Sequence, residues 1–274
     1  MFDTTYKNLT SYSDYLAKHP FHEKWGLDLS AYGDLSRKQE KSAYHDVDPS
    51  SEEAFPAELD DLIRLHYLVT SRKVTTILEF GVGKSSAVFD HALQVNKASF
   101  AEYVSQNLRR SNPFECHSVD NNQQWIEECE KSATTENVTY HYSKCNVGTF
   151  NDRVCTYFDP LPNICPDLIY LDGPDQMSPQ GSIRGLSTQH LDRLPMSADI
   201  LAMEHFLLPG TLIVVDGRTA NARFLKSSFQ RNWSHWHAVD FDQHFFELSE
   251  EPLGVYNRRQ IDFCLGNDFY DRIL

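Results

Sequence analysis

A Gly-x-Gly turn at residues 81–83 is the first part of the chain with a pattern suited to ligand binding. It follows a predicted strand at residues 74–80 and precedes a predicted helix from Ser85 to about Asn96. Glycines let the backbone turn tightly and approach a ligand closely, and the start of a helix presents N–H groups that have no partner within the helix. The segment is therefore predicted to bind an anionic or carboxylate-bearing ligand.

Two phosphate-binding patterns are close to this segment without matching it. Gly83-Lys84-Ser85 has the end of a Walker A motif, but the position that needs that motif's first glycine is Leu78. A dinucleotide-binding motif requires its third glycine at position 86, where the chain has Ser86. The sequence excludes the first pattern and leaves the second open.

An acid follows the next predicted strand, residues 115–119. In an open parallel sheet, ligands bind beyond the carboxyl ends of the strands, and an acid at this place typically accepts hydrogen bonds from ribose hydroxyls. The alternative is that Asp120 only caps the predicted helix at residues 121–132. Together with the glycine turn, the position favours ribose binding.

Two further apolar strands, predicted at residues 167–171 and 211–215, each end in an Asp-Gly pair. Asp172 and Asp216 could chelate a hard divalent cation, or one of them could act as a base toward a substrate hydroxyl. The alternative for each is a turn-forming Asp-Gly, which is frequent in proteins.

The acids can lie together only if their strands share one sheet. The hydrophobic periodicity of the chain predicts such a sheet, because strands alternate with helices. Further predicted elements are a strand at 138–142, helices at 197–208 and 220–231, and closing strands at 235–240 and 260–265. The pattern predicts an α/β fold with a doubly wound, mostly parallel seven-stranded Rossmann-like sheet. Residues 1–55 are predicted to form an extension of short helices and loops, and residues 56–274 the globular domain, which begins with an amphipathic helix ending near Ser71.

Composition narrows the function classes. The chain has 274 residues, of which 41% are hydrophobic, so it can bury a full core, and its formal net charge of −14 disfavours nucleic acid and anionic membranes as partners. Its apolar runs are far shorter than the roughly 20 residues that cross a bilayer, and its start lacks a secretory pattern, so we expect a cytoplasmic protein. The six cysteines have no metal-type spacing and are predicted to be buried thiols.

Taken in order, the motifs resemble those of the class I S-adenosylmethionine-dependent methyltransferases over roughly residues 57–266. The similar segments are Glu79-Phe80-Gly81-Val82-Gly83 for the family's first motif, Val119-Asp120 for its second, Tyr170-Leu171-Asp172-Gly173-Pro174 for its fourth, and residues 208–216 for its fifth-strand region. The resemblance implies S-adenosyl-L-methionine as the cofactor. The residues that it implies in cofactor binding are Glu79, Gly81, Gly83, Lys84, Ser85, Asp120, Asn121 and Asp172.

The resemblance also implies a role for each part. Gly81 and Gly83 would pass beneath the methionine part of the cofactor, and Glu79 would orient the loop or receive the amino group. Asp120 would hold the ribose, residues 143–146 would lie beside the adenine, and Asp172 would face both cofactor and acceptor.

Two features depart from the family pattern. Ser85 stands where the first motif usually has a later glycine, which could narrow or reshape the loop. The stretch between Gly83 and Asp120 is long, and its polar residues 99–113 look inserted.

The pair Asp172-Gly173-Pro174 and Asp216-Gly217-Arg218 further resembles small-molecule and sugar O-methyltransferases that hold a divalent metal with strand-end acids. This resemblance implies Asp172 and Asp216 as ligands of Mg²⁺ or another divalent cation. In those relatives the second acid is often followed by Asn, whereas here Gly217 follows and Asn221 comes a helical turn later. Metal dependence is therefore a hypothesis.

The predicted function is methyl transfer to the oxygen of a small-molecule or sugar-type acceptor, with or without a metal. Asp172 and His190 are the candidate catalytic residues, with His205 as another candidate base. Arginines that could bind an anionic group of the acceptor are Arg184, Arg193 and Arg218.

Two alternatives stay open. The chain could be a catalytically inactive cofactor-binding protein of the same fold, or an NAD(P)-linked oxidoreductase that uses Asp120 on the ribose. The aromatic residues at 233–237 and the phenylalanines after them are predicted to pack the last strands or a subunit contact, so a homo-oligomer is also open.

Overall fold

The computed structural model describes residue 6 and residues 8–25, 59–132 and 134–273. The predicted boundary between residues 55 and 56 lies outside these residues, as does most of the predicted N-terminal extension, so the domain division stays a prediction. Within the described part of the extension, the helix Tyr12–Lys18 packs on the first helix of the main fold through the hydroxyl of Tyr15, which lies 2.7 Å from Nδ1 of His66.

Nine strands and eight α-helices make up the described residues. The strands are β1 Thr76–Phe80, β2 Glu115–Asp120, β3 Val138–Tyr142, β4 Lys144–Phe150, β5 Arg153–Asp159, β6 Leu168–Leu171, β7 Leu212–Asp216, β8 Trp233–Ala238 and β9 Gln243–Leu248. The helices are α1 Tyr12–Lys18, α2 Leu59–Ser71, α3 Lys84–Asn107, α4 Gln123–Ser132, α5 Asp199–Met203, α6 Thr219–Ser228, α7 Gly254–Cys264 and α8 Asn267–Ile273. Short 3₁₀ helices lie at Phe21–Trp25, Glu204–Phe206 and Val239–Phe241.

Seven strands form the main sheet in the order β3-β2-β1-β6-β7-β9-β8, and β4 and β5 form a separate antiparallel hairpin. The first five strands of the main sheet are parallel, while β9 runs antiparallel to both β7 and β8. The predicted α/β class and the mostly parallel seven-stranded Rossmann-like sheet are confirmed.

Helices cover both faces of the sheet. On one face Ile77 packs in a cluster with Leu65 of α2 and Phe89 of α3. On the other face Leu78 packs in a cluster with Ile200 of α5, and every residue of β1 is buried. Strands that are covered on both sides read as largely apolar runs, and the sequence locates β1, β6 and β7 to within one or two residues. It places both ends of β3 where the structure has them.

The buried carboxylate of Asp167 fixes the start of β6 against the start of β1. Its Oδ2 accepts hydrogen bonds from the amide of Thr75 at 2.8 Å and from the Thr75 hydroxyl at 2.5 Å. Its Oδ1 lies 2.9 Å from Nη2 of Arg110, which compensates the buried charge. The register that is set at the amino-terminal ends of β1 and β6 determines which residues lie side by side at their carboxyl ends.

Some sequence predictions are wrong. Of the predicted strand 260–265, residues 260–264 belong to α7 and Leu265 caps that helix, and the antiparallel partner of β7 is β9, whose Phe245 and Phe246 are fully buried. The polar segment 99–113 is not a simple insertion, because α3 continues to Asn107 and its second half packs through Val104 against Phe263. The sequence also missed the β4–β5 hairpin.

The described cysteines include all six of the chain, and each is a free thiol; four of them are buried. Among the described helices, none combines the length and the apolar character that a bilayer crossing requires.

Candidate functional site

The register of the parallel strands brings the predicted site residues to one edge of the sheet. Phe80 of β1 lies opposite Val119 of β2 and opposite Leu171 of β6, and Leu171 lies opposite Val215 of β7. The residues that come next in the chain are Gly81, Asp120, Asp172 and Asp216, in the same order as the strands β1, β2, β6 and β7. Asp120 and Asp216 are the last residues of β2 and β7, and Gly81 and Asp172 come directly after β1 and β6, so all four lie at the same level, at the carboxyl edge where ligands bind in such sheets.

At the centre of this edge, two loop backbones touch. Gly81 has a φ of +98°, and a Cβ atom on it would lie 2.9 Å from the carbonyl carbon of Asp172. A Cβ on Gly173 would lie 2.8 Å from the amide nitrogen of Gly81. No side chain fits at either position, so the loop after β1 and the loop after β6 meet backbone to backbone.

Glu79 fixes the glycine loop through hydrogen bonds with the serines around it. Its side chain is fully buried and accepts hydrogen bonds from the hydroxyls of Ser85, Ser86 and Ser118, each at 2.5 Å. The hydroxyl of Ser86 also accepts a hydrogen bond from the amide of Gly83 at 3.3 Å. Of the two roles implied for Glu79, the contacts favour orienting the loop, and Ser85 at the departing position is one of its donors.

The pKa of Glu79 is raised to about 7, because burial disfavours the charged carboxylate. The three serine hydroxyls lower the pKa of Glu79, but they do not outweigh burial. The charge of Asp172 raises this pKa further.

Asp120 joins two neighbouring segments through backbone amides. Its Oδ2 accepts a hydrogen bond from the amide of Val82 at 2.9 Å, and its Oδ1 accepts one from the amide of Asn122 at 2.8 Å, just before α4. Burial raises the pKa of Asp120, while these amides oppose the rise. A carboxylate oxygen can accept more than one hydrogen bond, so a ribose contact would add to this arrangement without replacing it.

Asp172 is paired with Arg218. The Nε of Arg218 donates to Oδ1 of Asp172 at 3.3 Å, its Nη1 donates to the carbonyl of Pro174 at 2.7 Å, and its Nη2 donates to the carbonyl of Asp172. Arg218, predicted as a ligand for an acceptor anion, therefore clamps the loop after β6. Half of the Asp172 side chain, 50%, is still exposed.

The pKa of Asp172 is raised, chiefly because the surrounding protein excludes water from part of the carboxylate. Arg218 opposes this change, whereas the charges of Asp216 and Asp175 add to it. Asp175 also raises the pKa of Asp120, so the carboxylates of this edge influence one another.

Asp216 lies in a hydroxyl and amide network. Its Oδ2 accepts hydrogen bonds from the hydroxyl of Tyr170 at 2.7 Å and from Nε2 of Gln243 at 3.4 Å. Gln243 in turn accepts a hydrogen bond from the hydroxyl of Tyr6 at 3.0 Å. The network links the described N-terminal residue to the carboxyl edge.

The predicted metal ligands do not fit a divalent cation in this arrangement. Within the described ranges, no group of three or more His, Cys, Asp or Glu side chains is arranged to hold a metal ion. Asp172 is bonded to the guanidinium of Arg218, whose charge repels a second cation. No metal therefore enters the chemistry derived below.

The predicted histidines differ in their positions. His190 is 51% exposed on the loop after β6, and its Nδ1 accepts a hydrogen bond from the amide of Asp192 at 3.1 Å. Across the described residues, no hydrogen bond or ion pair joins His190 to Asp172. His205 lies in the 3₁₀ helix before the start of β7, whereas Asp172 lies at the carboxyl edge, so this position does not favour a role for His205 as the base.

The remaining predicted residues have mixed surroundings. Lys84 is exposed at the first position of α3, and Asn121 is half-buried next to Asp120. The amide of Ser143 donates to the carbonyl of Asp120 at 2.8 Å, which puts residues 143–146 beside this edge at the start of the β4–β5 hairpin. Arg193 donates to the carbonyl of Ser187 on the loop after β6, and Arg184 is exposed there.

Sequence reasoning missed Ser118, Tyr170 and Trp125 as parts of the site. Ser118 lies directly opposite Glu79 in the β1–β2 register, and the Trp125 indole donates to the carbonyl of Val82 at 2.5 Å. A serine in a buried strand is the one signal that could have indicated a polar partner for Glu79.

No protein-family model matches the chain, and no curated protein matches it. Among solved structures, an SAH-bound methyltransferase of Podospora anserina is similar with 11% sequence identity and a TM-score of 0.43, over 86% of this chain and 88% of that one. A candidate O-methyltransferase from Klebsiella pneumoniae is similar with 13% identity and a TM-score of 0.38, over 72% of this chain and 82% of that one. Likenesses of this size say nothing about what this chain binds.

The contact between the two loop backbones predicts different effects for two glycine substitutions. Gly81→Ala should lower the free energy of unfolding by about 2 kcal/mol or more, because the new Cβ meets backbone atoms and φ is positive. Gly83→Ala should cost no more than about 1 kcal/mol, since its Cβ would meet only the Ser85 hydroxyl, at 3.7 Å. Urea unfolding of both variants tests this, and equal losses would contradict the contact.

The raised pKa of Glu79 predicts a pH-dependent stability. Between its ordinary value of 4.5 and about 7, the folded state binds more protons than the unfolded state, so stability should fall as pH rises, by about 3 kcal/mol in total. In Glu79→Gln this contribution should disappear.

Urea unfolding at several pH values between 4.5 and 7.5 measures the difference in slope between the native chain and Glu79→Gln. Glu128→Gln, on the exposed side of α4, is the matched control and should keep the native slope. Parallel curves for the native chain and Glu79→Gln would show that Glu79 is ionised throughout.

Proposed function

We propose that this protein is an S-adenosylmethionine-dependent methyltransferase that acts on the oxygen of a small-molecule acceptor. The observation that carries the proposal is the glycine loop after β1, held against Gly173 beside three carboxylates. Asp120, Asp172 and Asp175 lie close enough for Asp175 to raise the pKa of both others. A group of acids at this edge complements a permanently charged sulfonium.

The loop fits such a ligand by its shape. A Cβ on Gly83 would meet nothing nearer than the Ser85 hydroxyl at 3.7 Å, so the surface above Gly83 is open, unlike that at Gly81. The proposed cofactor contacts are the backbone of residues 81–85 for the methionine part, Asp120 and Asn121 for the ribose, and Asp172 near the sulfonium. Glu79 acts beneath them as a positioning residue.

When bound, S-adenosylmethionine supplies a methyl group that an acceptor oxygen takes by in-line displacement, with the C–S bond breaking as the O–C bond forms. The chain itself has to orient the acceptor and take its proton. Asp172 is the proposed base, because it is half exposed and its pKa is raised toward neutrality. Arg218 positions this carboxylate and keeps a fraction of it ionised.

Two observations bear on the alternatives. Ser86, at the position of the third dinucleotide-motif glycine, is fully buried with its hydroxyl on Glu79, which disfavours the close helix–strand contact of that motif. The pairing of Asp172 with Arg218 favours the second candidate function, a cofactor-binding protein without catalysis, because a paired carboxylate is a weaker base.

Calorimetry with S-adenosylmethionine and S-adenosylhomocysteine tests the proposal. We expect both to bind, Gly83→Ala to weaken binding, and Asp172→Asn to keep the S-adenosylhomocysteine affinity within a few-fold. Methyl transfer to a panel of small hydroxyl compounds should fall by about 100-fold or more in Asp172→Asn, as for loss of a general base. Absence of binding overturns the methyltransferase proposal, binding without transfer supports the inactive alternative, and preferential binding of NAD(H) supports the oxidoreductase.

The neighbours of Asp172 predict opposite shifts of the pH–activity profile. Activity should rise with pH as Asp172 ionises, above the range of an ordinary aspartate. Arg218→Gln removes a positive charge, so the rise should move to higher pH by about one unit, whereas Asp216→Asn removes a negative charge and should move it to lower pH. Profiles of kcat/KM measure both, and shifts in the same direction would exclude Asp172 as the titrating base.

A further inference from the structure

A cavity separate from the carboxyl edge lies between α6 and the antiparallel strands β8 and β9. It has a volume of about 200 Å³. Its lining comes from one face of α6 and from strands β8 and β9: Thr219, Ala222, Arg223, Lys226, His235, His237 and His244. None of the roles proposed above uses it.

The helix contributes two cations to this cavity. Thr219, Arg223 and Lys226 follow one another at spacings of four and three residues, which puts them on one side of α6. No carboxylate is among the lining residues, although the chain as a whole has a net charge of −14. A basic cavity in such an acidic chain concentrates anions locally.

The strands contribute a chain of polar side chains. Nε2 of His244 lies 3.0 Å from the Thr219 hydroxyl, and Nδ1 of His244 lies 3.1 Å from Nε2 of His235. The ring of His237 stacks on His244 with the centroids 3.8 Å apart. Imidazole and hydroxyl groups can each donate a hydrogen bond to an oxyanion.

We propose that this cavity binds an oxyanion group of the phosphate or carboxylate type, held by Arg223 and Lys226 and by one hydrogen bond from the free end of the Thr219–His244–His235 chain, either the Thr219 hydroxyl or the His235 ring. Arg presents a planar fork of donors that matches such a group, and Lys adds a mobile point charge. The site does not depend on the methyltransferase proposal.

Burial and the neighbouring cations act together on the histidines of the cavity. Burial lowers the pKa of His235 to about 4, with Lys226 and His237 adding to the effect. Burial likewise lowers the pKa of His244 to about 4, with His237, His235 and Arg223 adding to it and Asp242 opposing it. An oxyanion beside these rings would favour their charged forms and so raise both pKa values.

The cavity adjoins the first site through the start of α6. Arg218 holds Asp172, and the next residue, Thr219, lines the cavity. The anion has two sources by this geometry, a free ion or an anionic group on the molecule that reacts at Asp172.

Inorganic phosphate is the probe for the test. Titration at constant ionic strength, followed through the histidine ring signals in NMR, should show saturable binding that raises the pKa values of His235 and His244 by about one unit. The double variant Arg223→Gln/Lys226→Gln should weaken binding at least about tenfold. The control Lys131→Gln/Arg153→Gln makes the same change in net charge at other exposed positions and should bind as the native chain does.

Non-saturable binding, or equal binding in both double variants, overturns the proposal. The source is decided by a methyl-transfer screen of paired compounds with and without a phosphate group: a preference for the phosphorylated member that is lost in Arg223→Gln/Lys226→Gln assigns the anion to the acceptor. Saturable phosphate binding with no such preference assigns a free ion. Calorimetry with S-adenosylhomocysteine separates the two proposals, because its affinity should be equal in the double variant and the control.

Discussion

The buried carboxylate of Glu79 joins three elements that have to be arranged together before any ligand can bind. It lies in β1 and accepts hydrogen bonds from Ser118 in β2 and from Ser85 and Ser86 in α3. A buried charge without partners would be strongly destabilising, so these three hydroxyls are what makes an acid tolerable in the middle of the sheet. The path of the glycine loop follows, since the loop is the short connection between a fixed strand and a fixed helix.

The same principle shapes the rest of the carboxyl edge. Asp120 accepts hydrogen bonds from backbone amides, Asp172 accepts one from the guanidinium of Arg218, and Asp216 accepts one from the phenol of Tyr170. Each acid therefore has a partner of its own. Their negative charges nevertheless add up at one edge, whereas the positive charges of Arg223 and Lys226 lie beyond the start of α6. The molecule thus has two neighbouring regions of opposite charge: the carboxyl edge, which suits a cationic ligand, and the cavity beside α6, which suits an anionic group.

The sequence predicts the strands that lie in the middle of the sheet and the acids at their ends, because burial on both faces makes β1, β6 and β7 largely apolar, with Glu79 as an acid within β1. It fails where local periodicity is weak. Residues 260–265 carry an apolar pattern short enough for either a strand or a helix, and their place after β9 decides for α7. Side-chain partners such as Ser118 for Glu79 and Arg218 for Asp172 depend on strand register and loop path, which no single segment encodes.

The link from Tyr6 through Gln243 to Asp216 joins residues that are far apart along the sequence. Asp216 and its partner Gln243 are separated by 27 residues, and Gln243 and Tyr6 by 237. Contacts between distant residues are slow to form, because the entropy of closing the intervening loop has to be offset first. The part of the carboxyl edge around Asp216 is therefore expected to reach its final arrangement late in folding, when Tyr6 docks on Gln243.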